Sequence, residues 1–249
     1  MNIRDSLQLS EEDDTRATRI LSKLIHDKSN IGPEILTTII REKSVILFGA
    51  GPSVEEDIAG IHSVLDTHKL AIIAADGAED ALSSQSIQAD IVVSDLDSCS
   101  IDELIRTSEK GVLVVHAHGD NIAAINTIVP LLHKRLLGST QVEAIQNVSN
   151  FGGFTDGDRA CYIAANFEPQ SITIAGMDFG EAEGSFSKSR LKISANHERR
   201  ISKLKWGKSS LEFLTSLDLK IRFRNLTNHG EEIAGAPKMS YSEFISEFL

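Results

Sequence analysis

The stretch Val45-Ile46-Leu47-Phe48-Gly49-Ala50-Gly51-Pro52-Ser53 joins a short apolar run to a glycine turn. Five later apolar runs also end at glycines, carboxylates or histidines. These runs are Leu70–Ala75, Ile91–Val93, Val112–Val115, Val142–Val148 and Ile172–Ala175. Short apolar runs that alternate with helical stretches predict an α/β fold, a mostly parallel sheet flanked by helices. Because ligands bind at the carboxyl edge of such a sheet, polar residues gathered there predict an active site.

The composition narrows the class of protein. The chain has 249 residues, of which 41% are hydrophobic and 24% charged, as is usual in globular domains. Its net charge of −11 argues against nucleic-acid binding, which needs a basic surface. The acidic segment Met1–Asp14 does not resemble a signal peptide, and no apolar run approaches the about 20 residues that span a bilayer. We therefore expect a cytoplasmic protein with no nucleic-acid or membrane partner and with reduced thiols at Cys99 and Cys161.

The order of the apolar patterns along the chain predicts one catalytic domain preceded by a helical N-terminal extension. Apolar residues recur at helical spacing over Leu7–Ile40, before the first predicted strand. We expect residues 1–41 to form a helical N-terminal extension and residues 42–249 to form the α/β catalytic domain. The irregular segment Gly180–Asn196 carries glycines and serines and is typical of a lid over a site.

The first glycine turn favours contact with an anion. A tight turn from a strand into a helix can direct backbone N–H groups at a phosphate. We therefore expect Gly49, Gly51, Pro52 and Ser53 to contact a nucleotide, although many α/β proteins use such a turn only structurally.

Three aspartates follow neighbouring predicted strands and favour a metal ion. Asp76 follows one strand, and Asp95 and Asp97 follow the next. In an extended Asp-x-Asp segment the two side chains point the same way, and carboxylates held together repel unless a cation lies between them. Mg²⁺ binds through one or two carboxylates plus substrate phosphates, so we expect these residues to hold it. The alternative is that they cap the helices that follow.

Two further motifs favour substrate contacts. His116 and His118 have the spacing of residues on one face, which suits a phosphate or substrate better than zinc because no cysteine is near. The segment Asn150–Arg159 combines glycines with phenylalanines that can stack on a planar ring, and Thr155 and Asp156 can bond to a heterocycle's edge. A tight turn that buries its phenylalanines in the core is the alternative.

A basic segment follows the predicted lid. Lys188–Lys208 carries eight basic residues against one acid, Glu198. Such a run is usually a solvated helix face, but Arg199 and Lys203 share one helical face and could equally meet the phosphates of a nucleotide.

The order of these motifs resembles a known family. Ala75-Asp76-Gly77-Ala78 followed by Ser94-Asp95-Leu96-Asp97-Ser98 is similar to a motif pair of thiamine pyrophosphokinases. Together with Phe48–Ser53, His116–Asn121, Phe151–Arg159 and Gly176–Phe179, it resembles the archaeal 6-hydroxymethyl-7,8-dihydropterin pyrophosphokinases more closely. The resemblance spans about Val45 to Leu214. It implies a Rossmann-like, thiamine-pyrophosphokinase-like fold and Mg²⁺-dependent transfer of diphosphate from ATP to the pterin's hydroxymethyl group, with release of AMP, in folate or methanopterin biosynthesis.

The resemblance also implies roles for individual residues. Mg²⁺ would be held by Asp76, Asp95 and Asp97. ATP would be contacted by Gly49, Gly51, Pro52, Ser53, His118, Arg159 and Lys203. The pterin would be contacted by Phe154, Thr155, Asp156 and Asp178. A homodimer is compatible with the sequence.

Three alternatives stay open at this point. A thiamine pyrophosphokinase would use the same metal site, and a nucleotide-sugar glycosyltransferase would use Asp95 and Asp97 to hold a metal. A non-catalytic binder of NAD or S-adenosylmethionine would use Gly49–Ser53 with Asp76 on a ribose.

Overall fold

A computed structural model describes residues 3–7, 9–180, 182, 184–187 and 197–249. Within these residues, eight strands form one sheet in which every strand pair is parallel. The strands are β1 (Ser44–Phe48), β2 (Leu70–Ala75), β3 (Ile91–Ser94), β4 (Val112–Ala117), β5 (Leu136–Thr140), β6 (Val148–Ser149), β7 (Ser171–Ala175) and β8 (Arg222–Asn225). The helices are α1 (Ile3–Leu7), α2 (Glu11–His26), α3 (Glu34–Ile40), α4 (Val54–Ile61), α5 (Ala78–Ser84), α6 (Ile101–Lys110), α7 (Ile122–Ile128), α8 (Asp156–Ala165), α9 (His197–Ser216) and α10 (Tyr241–Ser246). The predicted α/β class is confirmed.

The strand order is β6-β5-β4-β3-β2-β1-β7-β8. The chain builds the sheet outward from β1 to β6 and then returns to place β7 and β8 on the other side of β1. The direction of the order therefore reverses between β1 and β7. In open α/β sheets a crevice forms beside such a reversal, outside the carboxyl ends of the strands.

Helices cover both faces of the sheet because its strands are apolar on both sides. In β1, Ile46 and Phe48 enter one core and Val45 and Leu47 enter the other, as the two-residue period of a strand requires. The first core packs against α2, α4, α5, α6, α7 and α10, and the second against α3, α8 and α9.

The N-terminal helices take part in both cores. Ala17 and Leu21 of α2 are buried on one face of the sheet, and Leu36 and Ile40 of α3 on the other. The boundary at residue 41 stays a prediction, but these helices complete the same layers as the rest of the chain.

One predicted strand is wrong. The apolar run Val142–Val148 predicts a strand, whereas β5 lies earlier, at Leu136–Thr140, and β6 contains only Val148 and Ser149. Apolar residues at 136 and 137 continue the helical spacing of the preceding segment, so the sequence pattern does not reveal that the strand begins there. No helix in the described part of the chain has both the length and the apolarity needed to cross a membrane.

Candidate active site

A cavity of about 330 Å³ lies at the carboxyl edge of the sheet, beside the reversal between β1 and β7. Ligand-binding cavities begin at about this size. It is lined by most of the residues singled out from the sequence. These are Gly49, Gly51, Pro52, Asp76, Asp95, Asp97, His118, Phe154, Thr155, Asp156, Asp178 and Lys203. Ser53 and Arg159 do not line it.

The centre of the cavity is a cluster of three carboxylates. Asp76, Asp95 and Asp156 each place one oxygen within 4.8 Å of the others. Burial, followed by the charge of Asp95, raises the pKa of Asp76 to about 7. Burial and the charges of Asp95 and Asp76 raise the pKa of Asp156 well above its ordinary value. Three oxygen donors that repel one another at this spacing form a site that a hard divalent cation would stabilise.

Asp76 is held by β3 and by the turn that follows that strand. Its backbone, at φ +49°, turns sharply after β2, and its N–H donates to the carbonyl of Val93 at 2.8 Å. Its Oδ1 accepts from Ser94 Oγ at 2.6 Å and from the N–H of Cys99 at 3.3 Å. The carboxylate is therefore fixed by its neighbours before any ligand binds.

The third member of the cluster differs from the predicted set. Leu96 has φ +71°, so the backbone between Asp95 and Asp97 is turned rather than extended as predicted, although both residues line the cavity. Asp95 is half-buried, whereas Asp97 is exposed and accepts from Ser98 Oγ at 2.9 Å. Asp156, predicted as a pterin contact, occupies the third position instead. Asp97 lines the cavity, but this geometry does not support its assignment as a metal ligand.

His118 orients Asp95. Its Nδ1 accepts from the N–H of Asp120 at 3.3 Å, so the proton is assigned to Nε2, which lies 3.2 Å from Oδ2 of Asp95. Asn121 donates to the carbonyls of Asp95 at 2.9 Å and His116 at 2.7 Å, and so ties the turn after β3 to the end of β4. The contact between His118 and a nucleotide stays a prediction, because the structure gives its ring nitrogens these protein partners.

The glycine turn after β1 contacts the turn after β7. The N–H groups of Gly49 and Gly51 donate to the carbonyls of Ala175 and Gly176 at 2.9 and 2.8 Å. A Cβ at Gly51 would lie 2.1 Å from Oδ2 of Asp178, so a side chain would not fit. The prediction that these amides hold a phosphate is therefore corrected: both are used within the protein, and the glycine at residue 51 allows two turns to touch.

Ser53 sits beneath the cavity and orients Asp178. It is 3% exposed, and its hydroxyl lies 3.0 Å from Oδ2 of Asp57 and 3.1 Å from Oδ2 of Asp178. Its N–H also donates to Asp178 at 3.3 Å. The predicted contact of Ser53 with a nucleotide is therefore not supported.

Asp57 is a buried residue that the sequence reasoning missed. Its Oδ2 accepts from the N–H of Gly176 at 2.7 Å, and its Oδ1 accepts from the hydroxyl of Tyr241 at 2.6 Å. Burial raises its pKa above the ordinary value, although the bonds with Tyr241, Gly176 and Ser53 oppose the shift. A carboxylate in the first turn of a helix usually interacts favourably with the helix dipole. The sequence therefore gives no reason to assign Asp57 any other role.

The loop before α8 is held from inside. Asp158 accepts from the N–H groups of Phe154 and Thr155, both at 2.7 Å, which caps the helix. Arg159 is 1% exposed and donates to the carbonyls of Gly152 at 3.2 Å and Phe154 at 3.0 Å. The predicted contact of Arg159 with a nucleotide is therefore not supported, because its guanidinium group bonds to the loop and does not line the cavity.

The N-terminal helices also reach the site, which the sequence did not indicate. Oδ1 of Asp14 accepts from the N–H of Gly119, the residue after His118, at 2.8 Å. Its Oδ2 accepts from Arg4 and from Gln141 Nε2, each at 2.8 Å. Gln141 lines the cavity. The bonds of Asp14 with Gly119 and Gln141 join residues more than 100 positions apart, so no local pattern could reveal them.

The basic helix and part of the predicted lid border the cavity. Arg200 and Lys203 of α9 line it, and Gly184 packs so closely on the turn at Ala50 that a Cβ would lie 2.1 Å from that carbonyl oxygen. The rest of the predicted lid, including residues 188–196, lies outside the described residues.

Comparison with known proteins places this arrangement in a family. A family model described as 6-hydroxymethylpterin diphosphokinase MptE-like matches residues 21–184. The 6-hydroxymethyl-7,8-dihydropterin pyrophosphokinase of Methanocaldococcus jannaschii is 37% identical over 221 residues, 85% of this chain and 91% of that protein. The enzyme of the same name from Pyrococcus furiosus is 41% identical over 209 residues, 82% of this chain and 86% of that protein.

One solved structure resembles this chain in its fold only. The MAf glycosyltransferase from Magnetospirillum magneticum AMB-1 superimposes with a TM-score of 0.58 at 16% identity. The match covers 92% of this chain but only 38% of the glycosyltransferase chain. The family model and the two archaeal relatives each cover most of the sequence. This chain therefore belongs to the MptE-like 6-hydroxymethylpterin diphosphokinase family.

Proposed function

We propose that this protein transfers diphosphate from ATP to the hydroxymethyl group of 6-hydroxymethyl-7,8-dihydropterin and releases AMP. The names of the archaeal relatives support the acceptor and the type of transfer. The cluster of Asp76, Asp95 and Asp156 at the sheet edge is the observation that carries the chemistry.

The cluster fits Mg²⁺. Its three donors are carboxylate oxygens, the ligand type that this ion prefers, and their mutual repulsion is relieved by a divalent charge. Asp76, Asp95 and Asp156 would hold the ion, which when bound would neutralise charge on the phosphate oxygens.

The transfer itself exchanges one bond for another. The acceptor's hydroxyl oxygen bonds to the β-phosphorus of ATP while the bond from that phosphorus to the oxygen bridging to the α-phosphate breaks. AMP leaves with that oxygen and its electron pair, and the hydroxyl proton passes to solvent. Such a reaction depends on positioning and charge stabilisation more than on covalent help from the protein.

Residues of this protein can supply both charge stabilisation and positioning. Lys203 and Arg200 line the same cavity as the carboxylates and would balance the charge of the phosphates. His118 holds Asp95 at 3.2 Å, and Ser94 holds Asp76 at 2.6 Å, so the carboxylates need little reorganisation. The described residues of the predicted lid, which pack on the turns at Ala50 and Gly77, would help to exclude water from ATP.

The test is incubation of the purified protein with ATP, Mg²⁺ and one acceptor at a time, with nucleotide products separated by chromatography. We expect AMP and a diphosphorylated pterin in equal amounts, and neither product when the divalent ion is chelated. Efficient use of thiamine with no use of the pterin would overturn the choice of acceptor. Release of ADP, or turnover of a nucleotide sugar without ATP, would overturn the reaction type.

A further inference from the structure

A second cavity lies beside the one that holds the carboxylates. Its volume is about 440 Å³, and it is bordered by α1, the loop before α8, α8 itself and α9. Four aromatic residues contribute to its wall. They are Phe154, Tyr162, Trp206 and Phe213. Aromatic residues make up only 5% of the chain, and Trp206 is its single tryptophan, so their concentration at one cavity is notable.

The aromatic wall is suited to a flat ring. Phe213 is 61% exposed although its side chain is large and apolar, and the hydroxyl of Tyr162 donates to the carbonyl of Ser210 at 3.0 Å, which fixes its ring. Aromatic side chains stack on planar rings at modest entropy cost. Ser209 also lines this cavity and supplies a hydroxyl for the edge of a heterocycle, whereas Arg4 and Gln141, which line it too, are held by Asp14.

The two cavities adjoin. Leu9, Gln141 and Phe154 line both of them. Phe154 precedes Asp156 by two residues, which limits their Cα atoms to a separation of about 7 Å. A molecule in the aromatic cavity can therefore direct a substituent past Phe154 toward the carboxylate cluster.

We propose that the aromatic cavity binds the pterin ring of the acceptor, with the hydroxymethyl group at the Phe154 end facing Asp76, Asp95 and Asp156. This inference rests on the proposed function. It locates the ring away from Asp178, which is predicted to contact the pterin but lines the other cavity, where it bonds with Ser53.

The proposal also separates acceptor recognition from the catalytic edge. The family model matches residues 21–184, which include the carboxylate cluster but neither α1 nor α9. Those two helices supply Trp206, Phe213 and Arg4 to the aromatic cavity. The part of the chain that selects the ring is therefore built largely outside the matched residues.

The test substitution places a bulky side chain in the cavity from an exposed position on α9. Ser209 lies on the exposed side of α9 and lines the cavity, so Ser209→Trp introduces bulk there without disturbing a core. Ser216→Trp is the matched control, because Ser216 is exposed in the last turn of the same helix and does not line the cavity. Steady-state KM values for the pterin and for ATP are measured for each, together with equilibrium dialysis of the pterin without ATP.

We expect Ser209→Trp to raise the KM and the Kd of the pterin by about tenfold or more, a loss that ordinary steric exclusion of a stacked ring produces, while the KM of ATP changes less than about twofold. Phe213→Ala, at a 61% exposed position, should weaken pterin binding in the same direction. Ser216→Trp should behave as the unaltered protein.

Two results overturn the inference, and they can be told apart. If the unaltered protein uses the pterin but Ser209→Trp and Phe213→Ala leave its KM and Kd unchanged, the ring binds elsewhere and the proposed function survives. If the unaltered protein neither binds nor uses the pterin, both proposals fail.

Discussion

Replacing Asp156 with asparagine tests the carboxylate cluster through two effects of opposite sign. In the metal-free protein, oxygens of Asp156, Asp76 and Asp95 lie within 4.8 Å of one another. Two unit charges at that distance repel by about 3.5 kcal/mol at an effective dielectric constant of about 20. The variant removes this repulsion, which proton uptake already relieves in part, and loses about 0.3–1 kcal/mol of favourable interaction at the first turn of α8. We expect a net stabilisation of about 1 kcal/mol or more, which raises Tm by about 2–4 °C per kcal/mol.

Activity should move in the other direction. Loss of one ligand to the bound cation should cost about 3 kcal/mol at the transition state, which lowers kcat by about 10²-fold or more. Asp97→Asn should cost less, because Asp97 is exposed and outside the cluster. Tm is measured by thermal denaturation in chelator, and kcat by AMP formation at saturating Mg²⁺.

Asp102→Asn is the matched control, since Asp102 is exposed on α6 and does not line the cavity. An Asp156→Asn variant that keeps kcat within threefold of the unaltered protein, or that is destabilised in chelator, would refute the assignment of Asp156 to the metal site.

Three further substitutions test the surroundings of the site. Gly51→Ala would place a Cβ 2.1 Å from Oδ2 of Asp178, and we expect it to lower the free energy of unfolding by about 1–3 kcal/mol and to reduce activity; equal stability in urea titrations would contradict the contact between the two turns. Tyr241→Phe keeps the ring but removes the donor to buried Asp57, so unfolding should become about 1–3 kcal/mol easier, and a change below about 0.5 kcal/mol would show that the bond contributes little. Burial raises the pKa of Glu79 to about 8, so the folded protein holds a proton that the unfolded chain has released; its free energy of unfolding should therefore fall relative to Glu79→Gln as pH rises from 5 to 8, and parallel pH profiles in the two proteins would count against this shift.

The position of the site at the sheet edge could be predicted from the sequence because the residue types change where these strands end. Apolar runs stop at the glycines after β1 and at the aspartates after β2 and β3, and parallel strands must bring those ends together. This local rule, applied to several strands, was enough to bring most of the predicted site residues to one cavity.

The identity of the third carboxylate could not be predicted in the same way. The choice between Asp97 and Asp156 depends on the positive φ of Leu96, which is unusual for a leucine and has no marker in the sequence. The burial of Arg159 was equally hidden, because an arginine beside a glycine loop has the same pattern whether it faces a ligand or supports the loop's carbonyls.

The contribution of Asp14 shows a different limit. It bonds with Gly119 and Gln141, partners that lie more than 100 residues away in the chain. Helical periodicity identifies the face of α2 that is buried, but it does not say which loop the buried carboxylate meets. Only the assembled sheet supplies that information.

The position of β1 between β2 and β7 has a consequence for the nascent chain. Until residues 171–175 have been synthesised, β1 is an edge strand whose residues 45–48 are entirely apolar and whose outer N–H and C=O groups have no β-strand to pair with. Exposed edges of this kind promote pairing with other chains. A truncated product that stops before β7 would therefore be prone to aggregate. More than two-thirds of the sequence must be synthesised before β7 can pair with β1.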